Sequence, residues 1–212
     1  TSVYQPDYMS DVWFPYLVED DNGWHTSVVI QNVGGSTTSR DVELYDHNGS
    51  LVFTATVTLG ARQSKTMALG AIEGLPDGFV GSLRIGYGMA TGQEIAAIAR
   101  LVNPNLTGDG LMIYEAQQEI VEDAGYIPGV YYDYDGQSST LVIANTGTSA
   151  GSYTLDILDQ SGGVAFNALV GLDPHGSTTV DLSAVGLPAG FVGTARLLVS
   201  AGDEAAMMAY SS

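Results

Sequence analysis

Hydrophobic and polar residues alternate with period two along much of this chain. Ser27–Gln31, Asp41–Tyr45 and Leu51–Leu59 show it most clearly, and in the last of these Val52, Thr54, Thr56 and Thr58 share one face. Such alternation marks half-buried β-strands. Val, Ile, Thr, Tyr and Phe fill the alternating runs, while Gly, Asn, Asp and Pro separate them. The pattern predicts strands near 13–18, 26–33, 40–46, 51–59, 63–69, 79–87 and 94–102. It predicts a second series near 127–132, 139–145, 153–159, 164–171, 176–182, 191–199 and 204–210. Asn48-Gly49 is a two-residue hairpin signal. Helical periodicity is thin: only Glu115–Asp123 is expected to form a turn or two of helix.

The two series are copies of one unit. Ser27-Val-Val-Ile-Gln-Asn-Val-Gly34 returns as Thr140-Leu-Val-Ile-Ala-Asn-Thr-Gly147, an offset of 113 (140 − 27). Pro15 maps onto Pro128 and Leu44-Tyr-Asp-His-Asn-Gly49 onto Ile157-Leu-Asp-Gln-Ser-Gly162 at the same offset. Gly74-Leu-Pro-Asp-Gly-Phe-Val-Gly-Ser82 returns as Gly186-Leu-Pro-Ala-Gly-Phe-Val-Gly-Thr194, and Arg84 as Arg196, at offset 112 (186 − 74). Seven short strands in each of two ~100-residue copies predict an all-β protein of two tandem immunoglobulin-like antiparallel β-sandwich domains. The expected boundaries are an N-terminal extension at 1–11, repeat 1 at 12–103, an inter-repeat strand or linker at 104–125, and repeat 2 at 126–212.

Composition narrows the function classes. The 212 residues include 24 acids and 6 Lys or Arg, a net charge of −18. Nucleic-acid backbones require basic surfaces, so nucleic acid is not an expected partner, and an anionic membrane surface is equally disfavoured. No apolar run is long enough for a spanning helix, so membrane insertion is not expected. Cysteine is absent, which removes disulfides, zinc–thiolate sites and Cys nucleophiles. The start at Thr1 reads as a processed mature chain or a trimmed one. Acidic, Gly-rich and Tyr-rich composition suits an extracellular or cell-surface protein.

Four segments recur in order: Phe14-Pro15, Gly23-Trp-His-Thr-Ser-Val-Val-Ile-Gln-Asn32, Tyr45-Asp-His-Asn-Gly49 and Leu75-Pro-Asp-Gly-Phe-Val-Gly-Ser82. This pattern resembles a tandem immunoglobulin-like β-sandwich repeat of secreted, multidomain bacterial surface proteins. The resemblance covers most of both copies, although Gln137 stands where the pattern has Trp. It implies a sandwich fold and a surface location, and it implies no catalytic residues.

Catalytic constellations are missing. His25, His47 and His175 lie far apart at predicted turns and strand starts, and no nucleophile elbow or dinucleotide loop occurs. The chain is therefore expected not to be an enzyme. Both copies place Asp-x-(Asn/Asp)-Gly at the first turn, with Asp20 and Asn22 matching Asp133 and Asp135. Oxygen ligands two residues apart beside a Gly could begin a calcium site, Ca2+ being the one cofactor the chain suggests. The same residues also make a plain hairpin turn. Arg84 and Arg196 are expected to form structural ion pairs. Tyr126, Tyr131, Tyr132 and Tyr134 could pack, form an interface or stack on a sugar.

The segments flanking the copies suggest assembly. Leu111-Met-Ile-Tyr-Glu-Ala116, between the copies, is expected to add one more strand to repeat 1. A loosely similar apolar-aromatic stretch, Val3-Tyr4-Gln5 with Tyr8 beyond it, precedes repeat 1. Repeat 2, with Met207, Met208 and Tyr210 in its last strand, lacks such a follower unless that strand itself matches Met112–Tyr114. An open sheet edge is a template for strand addition. The expectation is a structural subunit of an extracellular, pilus-like filament. Val3, Tyr4, Gln5 and Tyr8 are the candidate donor strand and Met207, Met208 and Tyr210 the acceptor edge of another copy. The organisation resembles donor-strand fibre subunits in its logic, without their sequence motifs. The partner is then the protein itself, as a homopolymer. The alternative is a carbohydrate-binding or adhesion module of a larger surface protein, with glycans as partners.

Overall fold

The computed structural model describes residues 11–86, 94–106, 110–121 and 123–211. The donor-strand residues Val3, Tyr4, Gln5 and Tyr8 therefore lie outside the described residues. The chain divides into two compact units, one of Thr1–Leu44 with Leu51–Gln118, the other of Tyr45–Ser50 with Glu119–Ser212. Described residues form antiparallel strands and two single 3-10 turns, Leu69–Ala71 and Leu182–Ala184, with no α-helix among them.

The first unit runs β1 (Val12–Asp21), β2 (Trp24–Asn32), β3 (Thr38–Asp46), β4 (Leu51–Leu59), β5 (Ser64–Ala68), β6 (Phe79–Ile85), β7 (Ile95–Val102), β8 (Leu111–Glu115) and β9 (Gln117–Gln118). Its strands order as β4-β3-β6-β1-β2-β7-β8, with β5 on β2 and β9 on β1. β1 meets β2 only at its far end, through Glu19↔His25 and Asp21↔Trp24. Burial alternates along β2, β4 and β7 as the sequence pattern requires, while β1 and β6 bury consecutive residues. Phe14, Leu17, Val28, Ile30, Val42, Leu44, Leu83 and Leu101 are fully enclosed in one apolar core.

The second unit contains β10 (Ile120–Val121), β11 (Ala124–Tyr132), β12 (Ser139–Asn145), β13 (Gly151–Asp159), β14 (Val164–Leu172), β15 (Ser177–Asp181), β16 (Phe191–Leu198) and β17 (Glu204–Ser211). They form two four-stranded sheets, β10-β17-β12-β15 and β11-β16-β13-β14. Leu141, Ile143, Tyr153, Leu155, Ile157, Ala195 and Leu197 fill the core of this unit. Two sheets closing over one apolar layer make a β-sandwich.

The stretch expected to be a turn of helix, Glu115–Asp123, is instead the end of β8 and the two short strands β9 and β10. Gln117–Gln118 pair with Trp13 and Val12, and Ile120–Val121 pair with Ala205 and Glu204. Nine residues carry too little helical stabilisation to compete with sheet edges that offer partners at once.

Polar side chains at matching positions hold matching loops. The Asn32 Nδ2 donates to the carbonyls of Ser36, Leu59 and Gly60, while its Oδ1 accepts from the Gly34 N–H. Asn145 repeats this set with Ser149, Leu172, Asp173 and Gly147. The Thr26 hydroxyl bridges both backbone groups of Val18, and the Ser139 hydroxyl accepts from the Tyr131 N–H. Asp46 accepts from Asn48 N and Ser50 N, and Asp159 from Ser161 N and Gly163 N, closing the β3–β4 and β13–β14 hairpins. Much of the repeated polar sequence is thus spent on satisfying main-chain groups that turns leave open.

Candidate functional site

The feature that separates the units chemically is a sheet edge. In the first unit β2 is flanked by β5 and β7, and β7 is covered on its far side by β8. The register there is Ile98↔Glu115, Ala99↔Tyr114, Arg100↔Ile113, Leu101↔Met112 and Val102↔Leu111. In the second unit β12 is flanked by β15 and β17, so β17 stands where β7 stands in the first. Met207–Tyr210 belongs to that strand rather than matching Met112–Tyr114. On its far side β17 meets β10, at Glu204 and Ala205. Among the described residues, no strand lies beside Ala206–Ala209 on that side.

β8 shows what such an edge holds. Met112, Tyr114 and Ala116 turn inward and pack on the first core, while Leu111 and Ile113 face outward at 54% and 56% exposure. The Tyr114 ring meets Phe14 edge-on, with centroids 5.6 Å apart and planes at 71°. Its hydroxyl donates to the Tyr16 carbonyl. Burial of that hydroxyl pushes its pKa well above the usual phenol range.

At four matching places the second unit is less covered, although Ala206 and Met208 are buried where their counterparts Ala96 and Ile98 are exposed. Phe14 is fully buried but its counterpart Ile127 only half so, and buried Pro15 corresponds to exposed Pro128. Half-buried Tyr16 corresponds to exposed Gly129, and fully buried Ala99 to half-buried Ala209. Gly129 sits in the register shift between Pro128 and Val130 with φ +78°. Ile127 and Ala209 still touch the second core, so the strip is an extension of that core without a lid of β8 type among the described residues. Of the acceptor residues expected from sequence, Met207 and Met208 are buried at 5% and 6% exposure and Tyr210 is half-buried. Sequence reasoning missed Ile127, Gly129 and Ala209. The signal lies in the change from Phe14-Pro15-Tyr16 to Ile127-Pro128-Gly129, which trims bulk on both sides of a proline present in both copies.

The acidic turns have a backbone explanation. Asn22 and Gly23 have φ +50° and +81°, and Asp135 and Gly136 have φ +51° and +78°. These are the paired positive φ values of two-residue hairpin turns, which Asn-Gly and Asp-Gly adopt most readily. Tyr134 and Gln137 close the second turn with two main-chain hydrogen bonds. Asp20 and Asp133 also have positive φ, +52° and +47°, at the preceding irregularity. Among the described residues, no group of three His, Asp or Glu side chains converges at these turns or elsewhere.

The two arginines bind carboxylates. Arg84 contacts Asp11 and Glu43, and Arg196 contacts Asp156. Hydrogen bonds from Asn167 and then Arg196 hold the Asp156 carboxyl below its ordinary pKa. The His25 ring lies 2.8 Å from the Glu19 carboxylate, tying the first hairpin together. The rings of Tyr131 and Tyr134 are 6.4 Å apart and tilted by 51°, unlike the flat platform on which a sugar ring stacks.

The fold defines an all-β sandwich protein. The chain belongs to a family of unknown function, DUF5719, whose model matches residues 5–207. No curated protein matches it.

Proposed function

We propose that this protein is a structural, non-enzymatic subunit that assembles into an extracellular filament by β-strand complementation. Among the described residues no strand covers the edge of β17 over Ala206–Ala209, whereas β8 covers that of β7, and this difference carries the reading. An added strand would meet free main-chain donors and acceptors and would cover Ile127 and Ala209. The donor is the head segment of a second copy, residues 1–9, whose Val3-Tyr4-Gln5 has the apolar-aromatic-polar character of Ile113-Tyr114-Glu115. Contact between the head of one copy and the tail sheet of another is heterologous, and a heterologous contact that does not close builds a fibre. Burying about three apolar side chains supplies several kcal/mol, at roughly 1.5–3 kcal/mol each. The net charge of −18 opposes association, so assembly strengthens with added salt.

Electron microscopy and sedimentation of the purified full chain test this. Fibres whose amount rises with salt are expected, together with their loss on deleting Thr1–Ser10 while circular dichroism stays unchanged. A chain that stays monomeric at millimolar concentration, or a deletion variant that still polymerises, overturns the reading.

A further inference from the structure

We infer that the second unit selects its incoming strand through a tyrosine slot, filled by Tyr4 of the donor copy opposite Ala209. This rests on the strand-complementation reading above and adds its register and its selective residue. The first unit supplies the template. Tyr114 lies opposite Ala99 on β7, sets its ring against Phe14 and gives its hydroxyl to the Tyr16 carbonyl. The corresponding residues of the second unit are Ala209, Ile127 and Gly129, all half-buried or exposed. Ile127 is smaller than Phe14 and Gly129 carries no side chain, so the space beside Ala209 admits an aromatic ring and leaves the Gly129 carbonyl to receive its hydroxyl.

The donor sequence fits one register. Ser2-Val-Tyr-Gln-Pro6 superposes on Met112-Ile-Tyr-Glu-Ala116, with Tyr on Tyr and a β-branched residue before it. In that register Gln5 lies opposite Met208 and Tyr4 opposite Ala209. The next residue is Pro6, at the place of Ala116, whose N–H donates to the Ala97 carbonyl. Proline has no N–H, so the added strand stops there. That is where β10 occupies the edge, from Ala205 onward. A donor without a stop at this point would collide with β10. Tyr8 lies beyond the proline and could reach the slot only by sliding the strand four residues, which would put Pro6 opposite Ser211 at the end of β17 and carry the residues after Tyr8 towards β10.

The absence of cysteine allows a direct test in the full chain. Chains carrying Val3→Cys, which keep Tyr4, are mixed with chains carrying Tyr210→Cys, the residue opposite Val3 in this register, under assembly conditions and treated with a short bis-maleimide cross-linker. Opposed residues of an antiparallel pair have Cβ atoms about 4.5–5.5 Å apart, whereas a one-residue slip moves the side chain to the other face. A covalent dimer is expected from this mixture, on the order of tenfold more than from Gln5→Cys with Ala209→Cys. Tyr4→Phe is expected to assemble more weakly than the parent chain, and Tyr4→Ala not at all. Cross-linking to Tyr210→Cys through Asp7→Cys rather than Val3→Cys, the register that seats Tyr8, overturns the slot while leaving strand addition intact. Absence of dimer from every donor position overturns both.

Discussion

Replacing Asn32 should destabilise the first unit far more than its small size suggests. Its side chain is fully buried and serves four main-chain groups: three carbonyls accept from Nδ2, and the Gly34 N–H donates to Oδ1. This network also fixes the orientation of the amide, because three acceptors gather on one side and a donor on the other. Asn32→Ala strands those groups. Each buried, unsatisfied main-chain group costs about 1–3 kcal/mol, but water can reach the outer ones as the loop relaxes, so a net loss of about 3 kcal/mol is expected. Against a total stability of about 5–15 kcal/mol that is a large fraction. Asn32→Asp is the sharper test. It preserves shape and the Oδ1 acceptor but points an oxygen at three carbonyl oxygens, and should cost at least as much as alanine. Both tryptophans, Trp13 and Trp24, lie in the first unit, so urea unfolding followed by tryptophan fluorescence reports on it. The midpoint should fall with the slope unchanged. An Asp variant less than about 1 kcal/mol below the parent would refute the account of the amide as a donor hub.

Three further outcomes follow from the same structure. Asp156 has a lowered pKa when folded, so its interactions with Asn167 and Arg196 stabilise above the unfolded carboxyl pKa, about 4, and are lost as pH falls through that range toward the folded value. Acid titration monitored by circular dichroism should show a shallower loss of stability in Asp156→Asn than in the parent chain. Gly23→Ala should cost more than Gly136→Ala in thermal melts. Both have positive φ, costing about 1–2 kcal/mol for alanine, but a Cβ at Gly23 also lies 2.8 Å from the Asn105 amide and 3.2 Å from Asn103 Oδ1, whereas Gly136 faces open space. Tyr114→Phe should cost about 1 kcal/mol for the lost hydrogen bond, and Tyr114→Ala about 3 kcal/mol for the ring on Phe14, measured by denaturant unfolding. Equal losses in the two Tyr114 variants would contradict the packing described.

The alternating runs placed the strands well because period-two burial is a local property. The predicted run 51–59 is β4 itself, and the predicted 204–210 differs from β17 by one residue. Leu111–Ala116 was legible as a strand for the same reason. The linker was misread. Gln117–Val121 has neither a strong period nor a turn signal, and its conformation is decided by distant neighbours, Trp13 for one piece and Ala205 for the other. The acidic turns were legible only as chemistry with two readings, because Asp-x-Asn-Gly satisfies a ligand pattern and a positive-φ turn equally well. The uncovered strip was only half legible. Sequence suggests which strand is last, but the exposure of Pro128 and Gly129 depends on which residues fold across them.

Having two copies of one loop in a single polypeptide provides an internal control. Asn32 and Asn145 bind the same four kinds of main-chain group, 113 residues apart (145 − 32). The loop architecture therefore tolerates wide change around a fixed hub: Val33 against Thr146, Arg62 against His175. Surface grafting can exploit this. With the asparagine kept, foreign sequence should be accepted at the exposed 61–63 loop but not at 173–176, where the His175 ring lies 4.4 Å from Tyr45 and the Ser177 N–H donates to the His47 carbonyl.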